Sequence, residues 1–143
     1  MKIVFSFSNG FYAYIIKLVT GGKYTHCGIV IDGYVYESEI FKGVIKTKYN
    51  PFDWCENIEI KISKIKIDKI QKFLESELGS GYDYLGALRF VFSFLKPSKN
   101  KWFCSELCIE TLNKIRFFSK NKKPALYSPS VLYKILSKKL DKS

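Results

Sequence analysis

Histidine is the scarcest functional residue in this chain of 143 residues, because it occurs once, as His26. Imidazole is the side chain best suited to exchange a proton near neutral pH. Any mechanism that needs a histidine base must therefore use His26. A single histidine, together with four cysteines that form no CxxC pair, argues against a structural zinc site. We predict that the protein uses no metal and no cofactor.

Arginine is also rare, with only Arg89 and Arg116, so lysine supplies almost all of the positive charge. The formal net charge of +11 favours acidic partners such as nucleic acid or an anionic surface. Lysine together with abundant Ile, Asn, Tyr and Phe is equally typical of an AT-rich genome. No basic stripe with interleaved aromatics matches a nucleic-acid motif. We therefore expect no specific nucleic-acid binding, and attraction to anionic surfaces stays open.

Long apolar runs are missing, since none reaches the roughly 18 residues that a membrane-spanning helix requires. Ser6, Ser8, Asn9 and Gly10 interrupt the apolar N-terminal segment, and no small-residue cleavage site follows, so we expect no signal peptide. The four cysteines could form two disulfides by number alone. Two of them lie four residues apart on a predicted helix and read as buried or catalytic thiols, which favours a reduced, cytoplasmic protein.

The apolar pattern changes period near the middle of the chain. Alternating or β-branched segments predict strands at residues 2–7, 26–32, 34–40, 43–49 and 58–62, with a hairpin turn at Asp32-Gly33. Helical spacing predicts helices at 11–19, 67–78 and 82–95, a helix that opens near Cys104, and a last helix capped by Ser128-Pro129. We therefore predict one α+β domain over residues 1–143, in which a barrel-like antiparallel meander packs against helices.

Cys104 and His26 form the candidate catalytic pair. Cys104 lies at the start of a predicted helix, where free backbone N–H groups and the helix dipole favour a thiolate. A base beside that thiol would complete a nucleophile, and the same N–H groups could stabilise an oxyanion. His26 begins a predicted strand, which is a rigid support for such a base.

A carboxylate on the returning strand would orient the imidazole. The hairpin register pairs residues 31 with 34, 29 with 36 and 27 with 38, so Glu37 is not directly opposite His26 but can reach it through strand twist or a bulge. Glu39 has the same parity, lies two residues further along and competes for the role. Asp32 reads as a turn former.

Six short blocks occur in a recognisable order: IVFSFSNG, IIKLVTGGKYTHCGIVIDG, VYESE, GYDYLGA, WFCSEL and YSPSVLY. In this order the chain resembles the permuted NlpC/P60 superfamily, in the branch of YiiX-like and YebB-like permuted papain-fold cysteine hydrolases. In that branch the histidine strand precedes the cysteine helix, as it does here. The resemblance implies a circularly permuted papain-like fold with Cys104 as nucleophile, His26 as base and Glu37 as orienter.

The expected reaction is hydrolysis through a thioacyl intermediate, which makes the protein a candidate peptidase or amidase. A peptide or amide substrate ranks first, and a lipid or thioester acyl group ranks second. We take Tyr24, Tyr82 and Ser105 as the candidate substrate-binding residues, although Tyr82 could equally pack in the core. The rival interpretation is a non-enzymatic basic binding protein in which His26 and Cys104 are structural.

Overall fold

An antiparallel sheet of five strands organises the fold in a computed structural model that describes residues 1–7, 11–85 and 100–141. The strands are β1 (Lys2–Ser6), β2 (His26–Ile31), β3 (Tyr34–Glu39), β4 (Gly43–Lys48) and β5 (Glu56–Glu59). Their order across the sheet is β4-β3-β2-β1-β5, so β4 and β5 form its two edges. Four strand predictions are confirmed to within one residue, whereas the fifth, at residues 58–62, is shifted, since β5 covers Glu56–Glu59.

Four α-helices accompany the sheet in the described part of the chain. They are α1 (Phe11–Thr20), α2 (Lys64–Ser76), α3 (Cys104–Lys114) and α4 (Pro129–Leu140). The hydroxyl oxygen of Ser128 accepts a hydrogen bond from the backbone N–H of Val131 at 3.3 Å, which confirms the predicted N-cap of α4. The α+β class is therefore confirmed as an antiparallel sheet packed against helices.

The predicted helix at residues 82–95 is wrong at its start. Gly81–Tyr82 is a short strand, β6, that pairs in parallel with β7 (Lys101–Trp102). The N–H of Asp83 also donates to the carbonyl of Trp102 at 3.1 Å, which holds this segment extended. The pairing partner lies about 20 residues away, so the apolar periodicity of the segment carried no sign of it. Residues 86–95 of that prediction lie outside the described residues.

The main core lies between the sheet and α3. Ile29 and Ile31 of β2 pack with Leu107 and Leu112 of α3, and all four are almost fully buried. A smaller apolar cluster of Val4, Val30 and Val35 lies separately from this core and is packed against Trp54. Since successive strand residues point to opposite faces, the two clusters lie on opposite faces of the sheet. None of the helices within the described ranges combines the length and hydrophobicity needed to cross a bilayer.

The turn between β2 and β3 fixes the register of the hairpin. Asp32 and Gly33 both have positive φ angles, of 48° and 79°, as a type I′ turn requires. The pairing that follows places Ile31 opposite Tyr34 and Gly28 opposite Glu37, as the Asp32-Gly33 prediction expected. This register decides which side chains meet at the open end of the hairpin.

Gly43, at the start of β4, brings a second segment against the edge of the sheet. Its φ angle is +71°, and a Cβ atom built on it would lie 2.1 Å from the carbonyl oxygen of Ser80. That carbonyl accepts the N–H of Val44 at 2.8 Å, and the N–H of Gly79 donates back to the carbonyl of Val44 at 3.0 Å. The residues that precede β6 therefore cover part of the exposed edge of β4.

We expect Gly43→Ala to destabilise the fold by at least about 3 kcal/mol, since it adds a backbone clash to the unfavourable φ angle. Gly33→Ala is the matched control, because its φ is +79° and no atom lies within 4 Å of the added carbon. It should lose only about 1 kcal/mol, from backbone strain alone. Urea unfolding measures both values. Equal losses of unfolding free energy in the two variants would show that the close approach of Ser80 to position 43 is not what requires glycine there.

Candidate active site

His26 and Glu37 form a tight pair at the open end of the β2–β3 hairpin. Because Glu37 lies opposite Gly28, it is a diagonal neighbour of His26, and Gly28 puts no side chain between them. Nε2 of His26 lies 2.6 Å from a carboxylate oxygen of Glu37. The competing carboxylate, Glu39, instead contacts the ammonium group of Lys42 at 2.6 Å. Of the two candidates, the structure therefore places Glu37 on the imidazole.

Cys104 is the first residue of α3, as the sequence predicted. The helix start is fixed by Glu106, whose carboxylate accepts the backbone N–H of Phe103 at 2.9 Å. The preceding residue, Trp102, is fixed as well, since its carbonyl accepts the hydroxyl of Ser38 in β3 at 2.7 Å. These two hydrogen bonds between side chains and the backbone thus hold the start of α3 at a defined point beside the sheet.

The sulfur of Cys104 meets His26 because each residue begins its element. The imidazole of His26 and the side chain and backbone of Cys27 are the neighbours that act on the thiol of Cys104. The pairing of β2 with β3 ends at Gly28, so the N–H of Cys27 is available for the sulfur. Since Glu37 occupies Nε2 of His26, Nδ1 is the ring nitrogen left for Cys104.

The surroundings of Cys104 favour its thiolate. Burial alone would raise the pKa of the thiol, but the hydrogen bonds from Cys27 and His26 and the positive charge of the imidazolium outweigh it. Together they lower the pKa of Cys104 from 9.0 to about 5. A thiolate is therefore present at neutral pH without any added base.

The pKa of His26 shifts in the opposite direction to that of Cys104. Burial would lower the pKa of the imidazole, but hydrogen bonds and charge attraction from Cys104 and Glu37 raise it from 6.5 to about 10. Cys104 is thus deprotonated above pH about 5 and His26 is protonated below pH about 10. Between these limits the two residues form a thiolate–imidazolium pair.

A cavity of about 660 Å³ adjoins the pair. Its lining includes His26, Glu37, Tyr82 and Trp54, and the indole of Trp54 stacks on the imidazole with ring centroids 5.6 Å apart. Burial and the nearby charge of Cys104 raise the pKa of the Tyr82 hydroxyl. Cys104 is itself only 1% exposed, so His26 is the member of the pair that faces the cavity.

The structure places two predicted substrate-binding residues in the core and not at the cavity. The ring of Tyr24 packs between Phe5 and Tyr133 and is 2% exposed. Ser105 is fully buried, and its hydroxyl donates to the carbonyl of Tyr127 at 2.5 Å. Neither residue is among those that line the cavity, and the structure gives both of them packing or anchoring contacts, so their role in substrate binding stays a prediction. Only Tyr82 of the three lines the cavity.

Two residues of the site were absent from the sequence predictions. Cys27 could have been found from strand alternation, because the residue after His26 must face away from it, towards the core and α3. Trp54 lies in the connection between β4 and β5, just after a 3-10 turn at Pro51–Asp53. No local pattern links that connection to His26.

Comparison with known proteins adds no assignment, since no protein-family model matches the chain and no curated protein matches its sequence. Within residues 1–7, 11–85 and 100–141, no group of three or more His, Cys, Asp or Glu side chains is arranged to hold a metal ion.

We expect the thiolate of Cys104 to titrate near pH 5, in contrast to the ordinary value of 9.0. Ultraviolet thiolate absorbance, with Cys104→Ser as the blank, measures this midpoint. His26→Ala removes one hydrogen bond and one positive charge, so it should shift the midpoint upward by more than one pH unit, or about 1.4 kcal/mol. An unchanged midpoint in His26→Ala would show that the imidazole does not stabilise the thiolate.

Proposed function

We propose that the protein is a cysteine hydrolase that cleaves an amide or peptide bond through a thioacyl intermediate on Cys104. The observation that carries this proposal is the contact of Cys104 with an imidazole that a carboxylate, Glu37, holds at 2.6 Å. A nucleophile, a proton carrier and an orienting carboxylate are the three groups that such chemistry requires.

The reaction begins with attack of the Cys104 thiolate on the substrate carbonyl. His26 then donates its Nδ1 proton to the leaving amine, and Glu37 holds the ring in the orientation for that transfer. Backbone N–H groups at the start of α3 are the nearest donors for the oxyanion. In the second half, the neutral imidazole takes a proton from water, which attacks the thioester and releases the product acid.

The order of the catalytic elements supports a permuted papain-like arrangement. The strand that carries His26 comes before the helix that carries Cys104, and the two elements pack against each other. This order agrees with the resemblance of the blocks THCGIV, VYES and FCSEL to the permuted NlpC/P60 superfamily. Membership of that superfamily is part of the proposal.

Acyl substrates are the second candidate because of the cavity wall. Ile40, Phe41 and Trp54 contribute apolar surface to the lining, and Phe41 is 80% exposed at its rim. An apolar acyl chain carried on an ester or thioester could be bound there by hydrophobic contact. The same thioacyl mechanism applies to both classes of substrate.

The proposal predicts an acyl adduct on Cys104 and on no other cysteine. Fluorogenic peptidyl amides, p-nitrophenyl esters and acyl thioesters would be tested as substrates, with acid quenching and mass spectrometry to locate the adduct. Cys104→Ala should abolish turnover, and His26→Ala should reduce it by about 10²-fold or more, since it removes general acid–base catalysis. Unimpaired turnover in either variant would refute the mechanism.

The two carboxylates of β3 provide a matched test of the orienting role. Glu37→Gln keeps the shape but removes the charge that holds His26, so we expect kcat to fall by 10-fold or more, with a lower pKa on the alkaline limb of the pH profile. That limb should lie near pH 10 in the unmodified protein. Glu39→Gln breaks only the partly exposed contact with Lys42 and should have a much smaller effect. A larger loss in Glu39→Gln would reverse the assignment.

A further inference from the structure

The mechanism above uses one thiol, yet three buried thiols meet beside α3. Cys104 and Cys108 lie four residues apart on α3, which places both sulfurs on the same face of the helix. Cys27 faces them from β2, which packs against α3; its sulfur lies 3.7 Å from that of Cys108, and it is also a close neighbour that acts on the thiol of Cys104. Cys27 is therefore in contact with both helix thiols.

In the proposed hydrolysis the thiol of Cys27 only helps to stabilise the Cys104 thiolate and forms no bond with the substrate. Apolar residues of the core could occupy its position, since Ile29 and Ile31 continue the same face of β2. A thiol in that position instead touches the one sulfur of the site that is ionised at neutral pH. Two contacting sulfurs must approach by less than about 2 Å to reach disulfide bonding distance.

We propose that Cys27 is a resolving thiol, which forms a reversible disulfide with Cys104 when a peroxide oxidises the nucleophile. The inference rests on the Cys104 thiolate of the proposed function but requires no substrate. Its chemical consequence is that oxidation of the site stops at a reducible bond instead of continuing to an irreversible sulfinic acid.

The two steps balance with a hydroperoxide as the oxidant. The Cys104 thiolate attacks one peroxide oxygen and the O–O bond breaks, while His26 gives its proton to the leaving hydroxide. The products are the sulfenic acid, neutral imidazole and water. The Cys27 sulfur then attacks the sulfenic sulfur, so an S–S bond forms and the S–O bond breaks. The hydroxide leaves with the Cys27 proton as a second water.

Cys104 is the thiol that should react first among the three. It is paired with His26, which lines the cavity, whereas Cys108 lies one helical turn further along among apolar core residues and is fully buried. A small peroxide can enter through the cavity, where the side chain of His26 is 16% exposed. Reaction of a thiolate with peroxide is far faster than that of a buried neutral thiol.

The test uses the full chain with Cys55→Ser, because Cys55 is exposed and would otherwise react with added reagents. The protein is treated with hydrogen peroxide near neutral pH, and free thiols are then blocked under denaturing conditions. Peptide mass mapping should find a bond between Cys27 and Cys104, which dithiothreitol reverses completely. A bond between Cys27 and Cys108, or a Cys104 that passes to sulfinic acid with Cys27 still free, would overturn the proposal.

Two further variants act as matched partners. With Cys27→Ser added, the same treatment should convert Cys104 to sulfinic acid, and dithiothreitol should not restore it. With Cys108→Ser added, the bond between Cys27 and Cys104 should still form and reverse. If dithiothreitol restored the free Cys104 thiol equally well with and without the Cys27 sulfur, the resolving role would be refuted. If the Cys27 variant folds poorly, peptide mapping of the Cys55→Ser chain still decides whether the disulfide between Cys27 and Cys104 forms. A protein that forms this disulfide but hydrolyses no substrate would contradict only the proposed function.

Discussion

The contact between the Cys104 sulfur and the His26 imidazole is the interaction on which the functional interpretation depends. Two opposite charges that are largely removed from water can coexist only if each is strongly compensated. Here the thiolate is stabilised by His26 and by the side chain and backbone of Cys27. The imidazolium is compensated on its other nitrogen by Glu37 at 2.6 Å. Removing any one of these partners would leave a buried charge less well compensated. The ionised state of Cys104 and His26 therefore depends on all four groups.

The rest of the fold keeps these groups within contact distance. The sheet register fixes Glu37 relative to His26, while Glu106 and the hydrogen bond between Ser38 and Trp102 fix the start of α3 relative to β3. From the other end of the chain, the hydroxyl of Ser130 accepts the N–H of Tyr24 at 2.6 Å and donates to its carbonyl at 3.1 Å. The base is therefore anchored just before its strand begins, and the nucleophile just before its helix begins.

Local chemistry allowed much of this to be predicted from the sequence. Asp32-Gly33 specified the turn and therefore the hairpin register, and Ser128-Pro129 specified the start of α4. Contacts between residues that lie far apart in the chain could not be predicted from local sequence in the same way. The pairing of Tyr82 with Trp102 joins residues 20 apart, and the buried contacts of Tyr24 with Tyr133 and of Ser105 with Tyr127 also join residues that are distant in the chain.

The separation of the pair along the chain has a consequence for biosynthesis. His26 and Glu37 belong to a hairpin that can form from local sequence, but the sulfur that completes the site is made nearly 80 residues later. During translation the emerging hairpin would carry an ordinary imidazole and no nucleophile. Chemical competence therefore arises only after α3 has docked on the sheet, so a chain that ends before Cys104 carries the base without its nucleophile.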